Sequence, residues 1–356
     1  MFLRTDTRKI SICNLYVGGM DKVVVQSMTN TDTRDIKATV NQIKSLEDAG
    51  CEIIRVAVPD MQAAGSIKEI KKSINIPIVA DIHFDYRLAI ESIKSGADKI
   101  RINPGNMGHE DHVKSVVDCA RTYNIPIRVG VNSGSLPAQF SQRNAQSIVD
   151  SAKLQIDMLE KFGFENIVVS LKCSDIQTSY SAYKLFAQKY SYPLHVGITE
   201  AGTVFAGTIK SCAGIGSILS LGIGDTIRVS LTGDPVEEVR VARELLHSMN
   251  LGGNKKITFV SCPSCGRCRI DLVNTACEIE RMLESPEIYS KITKPITVAV
   301  MGCAVNGPGE AKHADIGLCG GNGEALLIKK GQVVCKLPSE TMVEDFVKCV
   351  VDYASE

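Results

Sequence analysis

Apolar and polar positions recur in one arrangement over roughly the first 250 residues. An amphipathic stretch ends at Gly, a few polar residues follow, and a short β-branched run comes next, as in DAG-CE-IIRVAV, KSG-ADK-IRIN, KFG-FEN-IVVSL and LGIG-DT-IRVSL. In the segment 34–49, Ile36, Val40, Ile43 and Leu46 fall at helical spacing and form one apolar stripe. Gly50 then supplies the left-handed position that stops such a helix. Candidate strands lie near 23–26, 53–57, 78–81, 99–102, 127–131, 167–171, 194–198 and 226–230, separated by helix-sized segments.

Strands alternating with helices imply right-handed βαβ units and a parallel sheet. Eight units in this length fit a TIM (β/α)8 barrel. The alternative is an open doubly wound sheet, but no G-x-G-x-x-G follows the first strand. The pattern changes after LGGNKK (251–256), so we expect a barrel domain over 1–252 and a small α/β domain over 253–356. In the latter, strands ITFV (257–260) and ITVAV (296–300) each lead into a loop, with helices near 269–284 and 339–354.

Forty Lys and Arg balance forty Asp and Glu. This neutrality argues against a nucleic-acid or anionic-membrane surface and makes any anion site local. The first twenty residues alternate polar and apolar and lack the apolar run of a signal peptide. No segment reaches the roughly 20 apolar residues of a membrane span, so a cytoplasmic protein is expected. Thirteen cysteines without a secretory signal do not read as a disulfide framework. Single ones such as Cys13, Cys51 and Cys119 read as small buried apolar residues.

Four strands break the rule that a parallel strand covered on both faces is apolar in its middle. They read Ile54-Arg55-Val56, Ile100-Arg101-Ile102, Ile127-Arg128-Val129 and Ile227-Arg228-Val229. A guanidinium is costly to bury without an anion and suits bidentate phosphate recognition. Converging at the C-terminal strand ends, where such barrels hold their sites, the four point to a polyanionic substrate such as a diphosphate. Asn103, Asn132, Ser170, Lys172 and Ser230 would lie at the same ends. The competing reading pairs each Arg with a barrel carboxylate such as Asp81 or Glu52. Val239-Arg240-Val241 sits in a helical pattern and reads as solvated. His83, His195, Thr199 and Glu200 are further polar candidates at the strand ends. Glu200 could donate a proton or simply pair with one of the arginines.

The second domain carries Cys262-Pro-Ser-Cys265-Gly-Arg-Cys268 after one strand and Cys303 in a Gly-rich loop after the next. This spacing serves zinc or an iron–sulfur cluster. The second half, MGCAVNGPGE, has one cysteine where a zinc knuckle has two, and its glycines permit close backbone approach. Glu310 ends the loop as an oxygen-ligand candidate or a solvated carboxylate. A non-catalytic zinc-bearing phospholigand protein, and a barrel lyase or aldolase with a structural cluster, remain open at this point.

The motifs VQSMTNTDT (25–33), VADIHFDYRLA (79–89), KIRINPGN (99–106), RVGVNSGSL (128–136), HVGITEAG (195–202), GIGDTIRVSLT (222–232), CPSCGR (262–267) and GCAVNGPGE (302–310) run nearly end to end. In them the chain closely resembles the bacterial 4-hydroxy-3-methylbut-2-enyl diphosphate synthase family, in its short two-domain form. The resemblance implies a TIM barrel joined to a domain similar to part of sulfite and nitrite reductases. It implies a [4Fe–4S] cluster on Cys262, Cys265, Cys303 and Glu310, with Glu310 able to open one iron to substrate. It implies flavodoxin or ferredoxin as electron donor, and a homodimer whose subunits share each active site. The family's reaction is the two-electron reductive dehydroxylation of 2-C-methyl-D-erythritol 2,4-cyclodiphosphate. Its diphosphate contacts carry over to Arg55, Arg101, Asn103, Arg128, Asn132, Lys172, Arg228 and Ser230, and its proposed proton donor to Glu200. Cys268 departs from the family pattern, which commonly has another residue there, and is an alternative fourth ligand to Glu310.

Overall fold

β-Branched runs set between amphipathic helices can bury both faces only as a parallel sheet, and a computed structural model shows how this sheet closes. It describes residues 2–136, 139–140, 142, 144–253, 256–305 and 307–355, without the side chains of Ser135, Pro286 and Glu310. The chain divides into two compact units, Met1–Gly253 and Asn254–Glu356.

The first unit opens with an antiparallel hairpin of β1 (Ile10–Ile12) and β2 (Leu15–Val17). Eight parallel strands follow: β3 (Val24–Met28), β4 (Ile53–Ala57), β5 (Ile78–Asp81), β6 (Lys99–Ile102), β7 (Ile127–Asn132), β8 (Ile167–Lys172), β9 (His195–Val196) and β10 (Thr226–Ile227). Each is followed by a helix: α1 (Ile36–Asp48), α2 (Met61–Lys71), α3 (Tyr86–Lys94), α4 (Glu110–Thr122), α5 (Ala145–Glu160), α6 (Ile176–Lys189), α7 (Val204–Leu219) and α8 (Pro235–Ser248). The strand order is β8-β7-β6-β5-β4-β3-β10-β9. A parallel bridge between Val169 and Leu194, with Val169 N donating to Pro193 O at 2.9 Å, joins β8 to β9 and closes the barrel. The open-sheet alternative is thereby excluded.

Side-chain caps mark where the helices begin. Asp35, Asp60, Asp85, Asn144, Asp175 and Asp234 each accept a hydrogen bond from a first-turn amide, a contribution of about 1 kcal/mol apiece. Helix α1 thus starts two residues inside the expected span, and Gly50 takes the left-handed φ of 97° beyond its end. The apolar strand faces pack outward against the helices, while Ile10, Ile12 and Val17 of the hairpin join Val24, Ile53, Val79 and Val168 in a plug inside the barrel. Cys51 is buried as expected, whereas Cys13 is exposed at a hairpin turn with φ of 55° and Cys119 is half-buried.

In the second unit, β11 (Ile257–Ser261), β12 (Ile296–Met301), β13 (Ile316–Gly320), β14 (Glu324–Lys329) and β15 (Gln332–Pro338) form one sheet in sequence order. The first three strands run parallel and the last two pairings are antiparallel. Helices α9 (Leu272–Leu283), α10 (Pro286–Tyr289), α11 (Gly307–Glu310) and α12 (Met342–Ser355) complete it. Leu272, Ile279, Phe346 and Val350 bring α9 and α12 into a core shared with Val298, Val300 and Leu318 of the sheet. No helix among the described residues is long and apolar enough to cross a membrane.

Candidate active site and cysteine loops

Alternation along a strand puts residues two apart on one face, so the barrel register decides which of the polar residues meet. Arg101 pairs in register with Arg128, Asp81 with Arg101, and Asn132 with Lys172. The side chains of Arg55, Lys99, Arg101, Arg128, Lys172 and Arg228 are buried or nearly so, and the carboxylates of Asp81 and Glu238 are buried with them. Among the described residues, six basic side chains therefore share this interior with two carboxylates.

Both carboxylates are shared. Asp81 accepts from Arg55 Nη2 at 3.1 Å and Arg101 Nη1 at 3.3 Å, and lies 3.4 Å from His83 Nε2. Although burial opposes ionisation, Arg55, His83, Arg101 and Arg128 hold Asp81 far below the usual carboxylate range. Glu238, in the first turn of α8, lies 3.6 Å from Arg228 Nη2 and accepts Leu231 N at 2.8 Å. Arg128 finds only the Ser170 hydroxyl, at 2.9 Å, and its Nε and Nη2 have no partner among the described residues, nor do Arg55 Nε and Arg228 Nε. Burial and the neighbouring arginines push Arg128 and Lys172 well below their ordinary values. The carboxylate-pairing reading thus accounts for Arg55, Arg101 and in part Arg228, but leaves Arg128 and Lys172 with no carboxylate in ion-pairing range among the described residues; Glu52 pairs instead with Lys22.

Small residues make room for these heads. A Cβ on Gly130 would lie 3.2 Å from Arg101 Nε, and one on Gly197 would lie 2.8 Å from Lys172 Nζ. Asn103 and Asn132 end β6 and β7, Asn103 accepting Gly105 N at 3.1 Å, and Ser230 lies half-buried beyond β10. A cleft of about 320 Å³ opens beside Asp81 and His83 at the ends of β4 and β5. Glu200 stands exposed beyond β9 in a left-handed conformation, φ 54°, and makes no ion pair with the arginines among the described residues. Its pairing alternative is not realised. Held strain of this kind concentrates at functional sites. Arg240 is exposed and pairs with Glu237.

His195 is not at the barrel mouth. It begins β9, fully buried, with Nδ1 2.8 Å from Thr226 Oγ1 and Nε2 unpartnered. Burial, then Lys172, Arg128 and Lys99, drives its pKa well down, so it is a neutral interior residue. Lys99 went unrecognised in the sequence. It is fully buried, its Nζ reaches only Gln26 Oε1 at 3.3 Å among the described residues, and burial lowers its pKa well below that of an ordinary lysine. The available signal was its position two residues before Arg101 on one strand face.

In the second unit, β11 and β12 lie side by side and parallel, Ser261 opposite Val300, so the loops bearing Cys262 and Cys303 leave neighbouring strand ends. Gly302 N donates to Cys262 Sγ at 3.3 Å, and Arg269 N donates to Gly302 O at 2.8 Å, tying one loop to the other. Cys265 N donates to Cys268 Sγ at 3.4 Å. Cys303 is buried and its carbonyl accepts Gly307 N at 3.1 Å. Glu310 ends α11, and its side chain lies outside the described residues. Among the described residues no three His, Cys, Asp or Glu side chains converge into a metal-holding group. Amides aimed at sulfur on two adjoining loops nevertheless fit the environment of an iron–sulfur group, whose sulfurs accept such bonds.

The GcpE TIM-barrel domain family matches residues 7–243, and the GcpE protein C-terminal domain family matches residues 258–352. A Bacillus mycoides 4-hydroxy-3-methylbut-2-en-1-yl diphosphate synthase (flavodoxin) is 54% identical over 360 residues, covering 100% of this chain and 97% of the relative. The enzyme of the same name from Caldanaerobacter subterraneus is 55% identical over 350 residues, covering 97% of each. Among solved structures, Yersinia pestis dihydropteroate synthase superposes with a TM-score of 0.52 at 12% identity, over 68% of this chain and 97% of its own. A Clostridium difficile type I 3-dehydroquinate dehydratase gives 0.51 at 14%, over 68% and 99%. These two likenesses speak only to the fold. The family matches and the near-complete relatives say more: the chain belongs to the GcpE family of 4-hydroxy-3-methylbut-2-en-1-yl diphosphate synthases.

Proposed function

We propose that this chain is an iron–sulfur oxidoreductase that opens and dehydroxylates 2-C-methyl-D-erythritol 2,4-cyclodiphosphate to 4-hydroxy-3-methylbut-2-enyl diphosphate, in the methylerythritol phosphate route to isoprenoids. The observation that carries the substrate class is the set of six buried basic side chains against two carboxylates among the described residues, with Arg128 and Lys172 having no carboxylate in ion-pairing range there.

Arg55, Arg101, Arg128, Lys172 and Arg228 hold the diphosphate oxygens, and Asn103, Asn132 and Ser230 add neutral hydrogen bonds at the rim. The diphosphate supplies the anions that Asp81 and Glu238 provide only in part. Glu200, exposed at the end of β9, hands a proton to the departing hydroxyl oxygen, which leaves as water. Cys262, Cys265, Cys303 and Glu310 would hold a [4Fe–4S] cluster, which when bound would supply the two electrons one at a time and a Lewis-acidic iron. A carboxylate ligand at Glu310 would distinguish this ligand set from a four-thiolate one.

Flavodoxin, the donor in the relatives' designation, delivers the electrons, with ferredoxin as the alternative carrier. The protein works in the cytoplasm as a homodimer, with each active site shared between subunits. The barrel over 1–252 binds substrate and the segment 253–356 carries the cluster. Membership in a synthase family argues against a non-catalytic zinc protein.

The test is anaerobic titration of an Arg101→Ala variant with the cyclic diphosphate. Loss of charge-assisted hydrogen bonds worth about 1.5–3 kcal/mol predicts roughly 10- to 150-fold weaker binding, with iron content unchanged. Equal affinity would refute the anchoring role. Turnover that needs no one-electron donor would refute the reductive reading, and zinc in place of iron would refute the cluster.

A further inference from the structure

The segment Cys265-Gly266-Arg267-Cys268 is a second C-x-x-C, overlapping the first at Cys265. Gly266 and Arg267 form a turn closed by Cys268 N donating to Cys265 O at 3.0 Å. Such a turn holds its first and fourth α-carbons within about 7 Å, and a disulfide spans α-carbons about 4.4–6.8 Å apart. The Cys268 sulfur already lies over the start of the turn, 3.4 Å from Cys265 N. Gly302 makes space for it, since a Cβ there would come within 2.4 Å of Cys268 Sγ. Residues 262–265 form no such turn, and the Cys262 sulfur is engaged by the Gly302 amide on the other loop. Cys265 is exposed and Cys268 half-buried, so an oxidant from solvent meets Cys265 first.

We propose that Cys265 and Cys268 form a reversible thiol-oxidation site that closes as a disulfide when peroxide strips the cluster. The Cys265 thiolate attacks one peroxide oxygen, the O–O bond breaks, and a sulfenic acid and one water result. The Cys268 thiolate then attacks the Cys265 sulfur, expelling the second water. The two thiols lose two protons and two electrons, and one peroxide becomes two waters. The bond keeps Cys265 from the irreversible sulfinic and sulfonic stages, and a thiol reductant returns it as a ligand. This consequence rests on the reading of Cys265 as a cluster ligand, whereas the disulfide itself does not.

The experiment uses the full chain purified without oxygen, its iron measured, then treated with hydrogen peroxide until the visible absorbance is lost. Alkylation of free thiols and peptide mapping should find a Cys265–Cys268 bond, with a mass loss of two hydrogens. After dithiothreitol, iron and sulfide should rebuild most of the starting absorbance. Cys268→Ser and Cys268→Ala should load iron like the parent before peroxide. After it they should show Cys265 oxidised to sulfinic or sulfonic acid and regain less than half of the parent's absorbance. A Cys262–Cys265 bond, or equal recovery in parent and variants, would overturn the proposal. Absence of iron at the outset would overturn the ligand reading, and the mapping would still decide the disulfide.

Discussion

Replacing Lys99 by Met should stabilise the substrate-free protein, although it removes a residue from the middle of a barrel strand. Lys99 is fully buried beneath Arg55 and Arg128, with an amide oxygen at 3.3 Å and no carboxylate in ion-pairing range among the described residues. Beside it in register is Val79, part of the apolar plug with Val24, Ile53 and Val168, so a Met side chain finds apolar neighbours. Exchanging buried charged groups for well-packed apolar ones of similar size gains about 1–4 kcal/mol. At about 3 °C per kcal/mol for a domain of this size, the melting temperature rises by several degrees. The gain depends on pH with a definite sign. Burial, Arg128 and Arg55 depress the folded-state pKa of Lys99 below its unfolded value of 10.5, so between the two the unfolded chain binds the extra proton. The parent's stability therefore rises with pH across that window, and the variant lacks this term. Urea denaturation of both proteins should give the largest difference at neutral pH and a smaller one above pH 10. A variant less stable at neutral pH, or a gain that ignores pH, would refute the reasoning.

The same interior yields two further expectations. A Cβ on Gly197 would meet Arg228 O at 2.7 Å and Lys172 Nζ at 2.8 Å, so Gly197→Ala should displace the lysine and weaken diphosphate binding by about tenfold or more. Circular dichroism should show the fold retained, and affinity like the parent's would mean that Lys172 does not touch the ligand. At the opposite end of β10, Asp225 accepts from Leu194 N at 2.7 Å and Thr7 Oγ1 at 2.8 Å, and burial raises its pKa to about 6. As pH falls through 6 the folded protein takes up a proton that the unfolded chain takes up only near 3.8, so this group adds stability between those values on acidification. Comparing Asp225→Asn with the parent by urea denaturation at pH 7 and pH 5 isolates the effect, and parallel curves would exclude it.

The barrel was legible because its signal is periodic and repeated. Arginines flanked by β-branched residues mark the inward face of four strands, and the register places three of them against buried carboxylates. What stayed hidden depends on contacts across the barrel. Lys99 begins its strand after a polar loop and reads as a strand end until the pleat puts it beside Gln26. Glu238 sits in VEEVRVARELL, where a first-turn acid reads as solvated, and only tertiary placement brings it to Arg228. The N-terminal hairpin had a visible cue in its alternating residues, but nothing in sequence says that they face the barrel interior. His195 was expected at the strand ends with Thr199 and Glu200 of HVGITEAG, but it begins β9 and lies inside. The strand stops after Val196, and Gly197 passes close to Arg228 O and Lys172.

The charge surplus links stability to binding. Groups of like sign held together in a low-dielectric interior repel one another and lose hydration, and Asp81 and Glu238 offset only part of that cost. The free barrel is therefore poised for an anion, and the free energy released when a diphosphate arrives includes the relief of this repulsion. Substitutions that remove a ligand-facing basic group with no carboxylate in ion-pairing range among the described residues, Arg128 or Lys172, should accordingly act in opposite directions on the free protein and on its complex, whereas removing Arg55 or Arg101 leaves Asp81 short of a partner. Stability without ligand is the price of affinity for it. Asp81 sets the limit of that strategy: by anchoring Arg55 and Arg101 at 3.1 and 3.3 Å, it fixes two guanidinium heads before the ligand enters. The remaining cations keep enough unpaired charge to hold it.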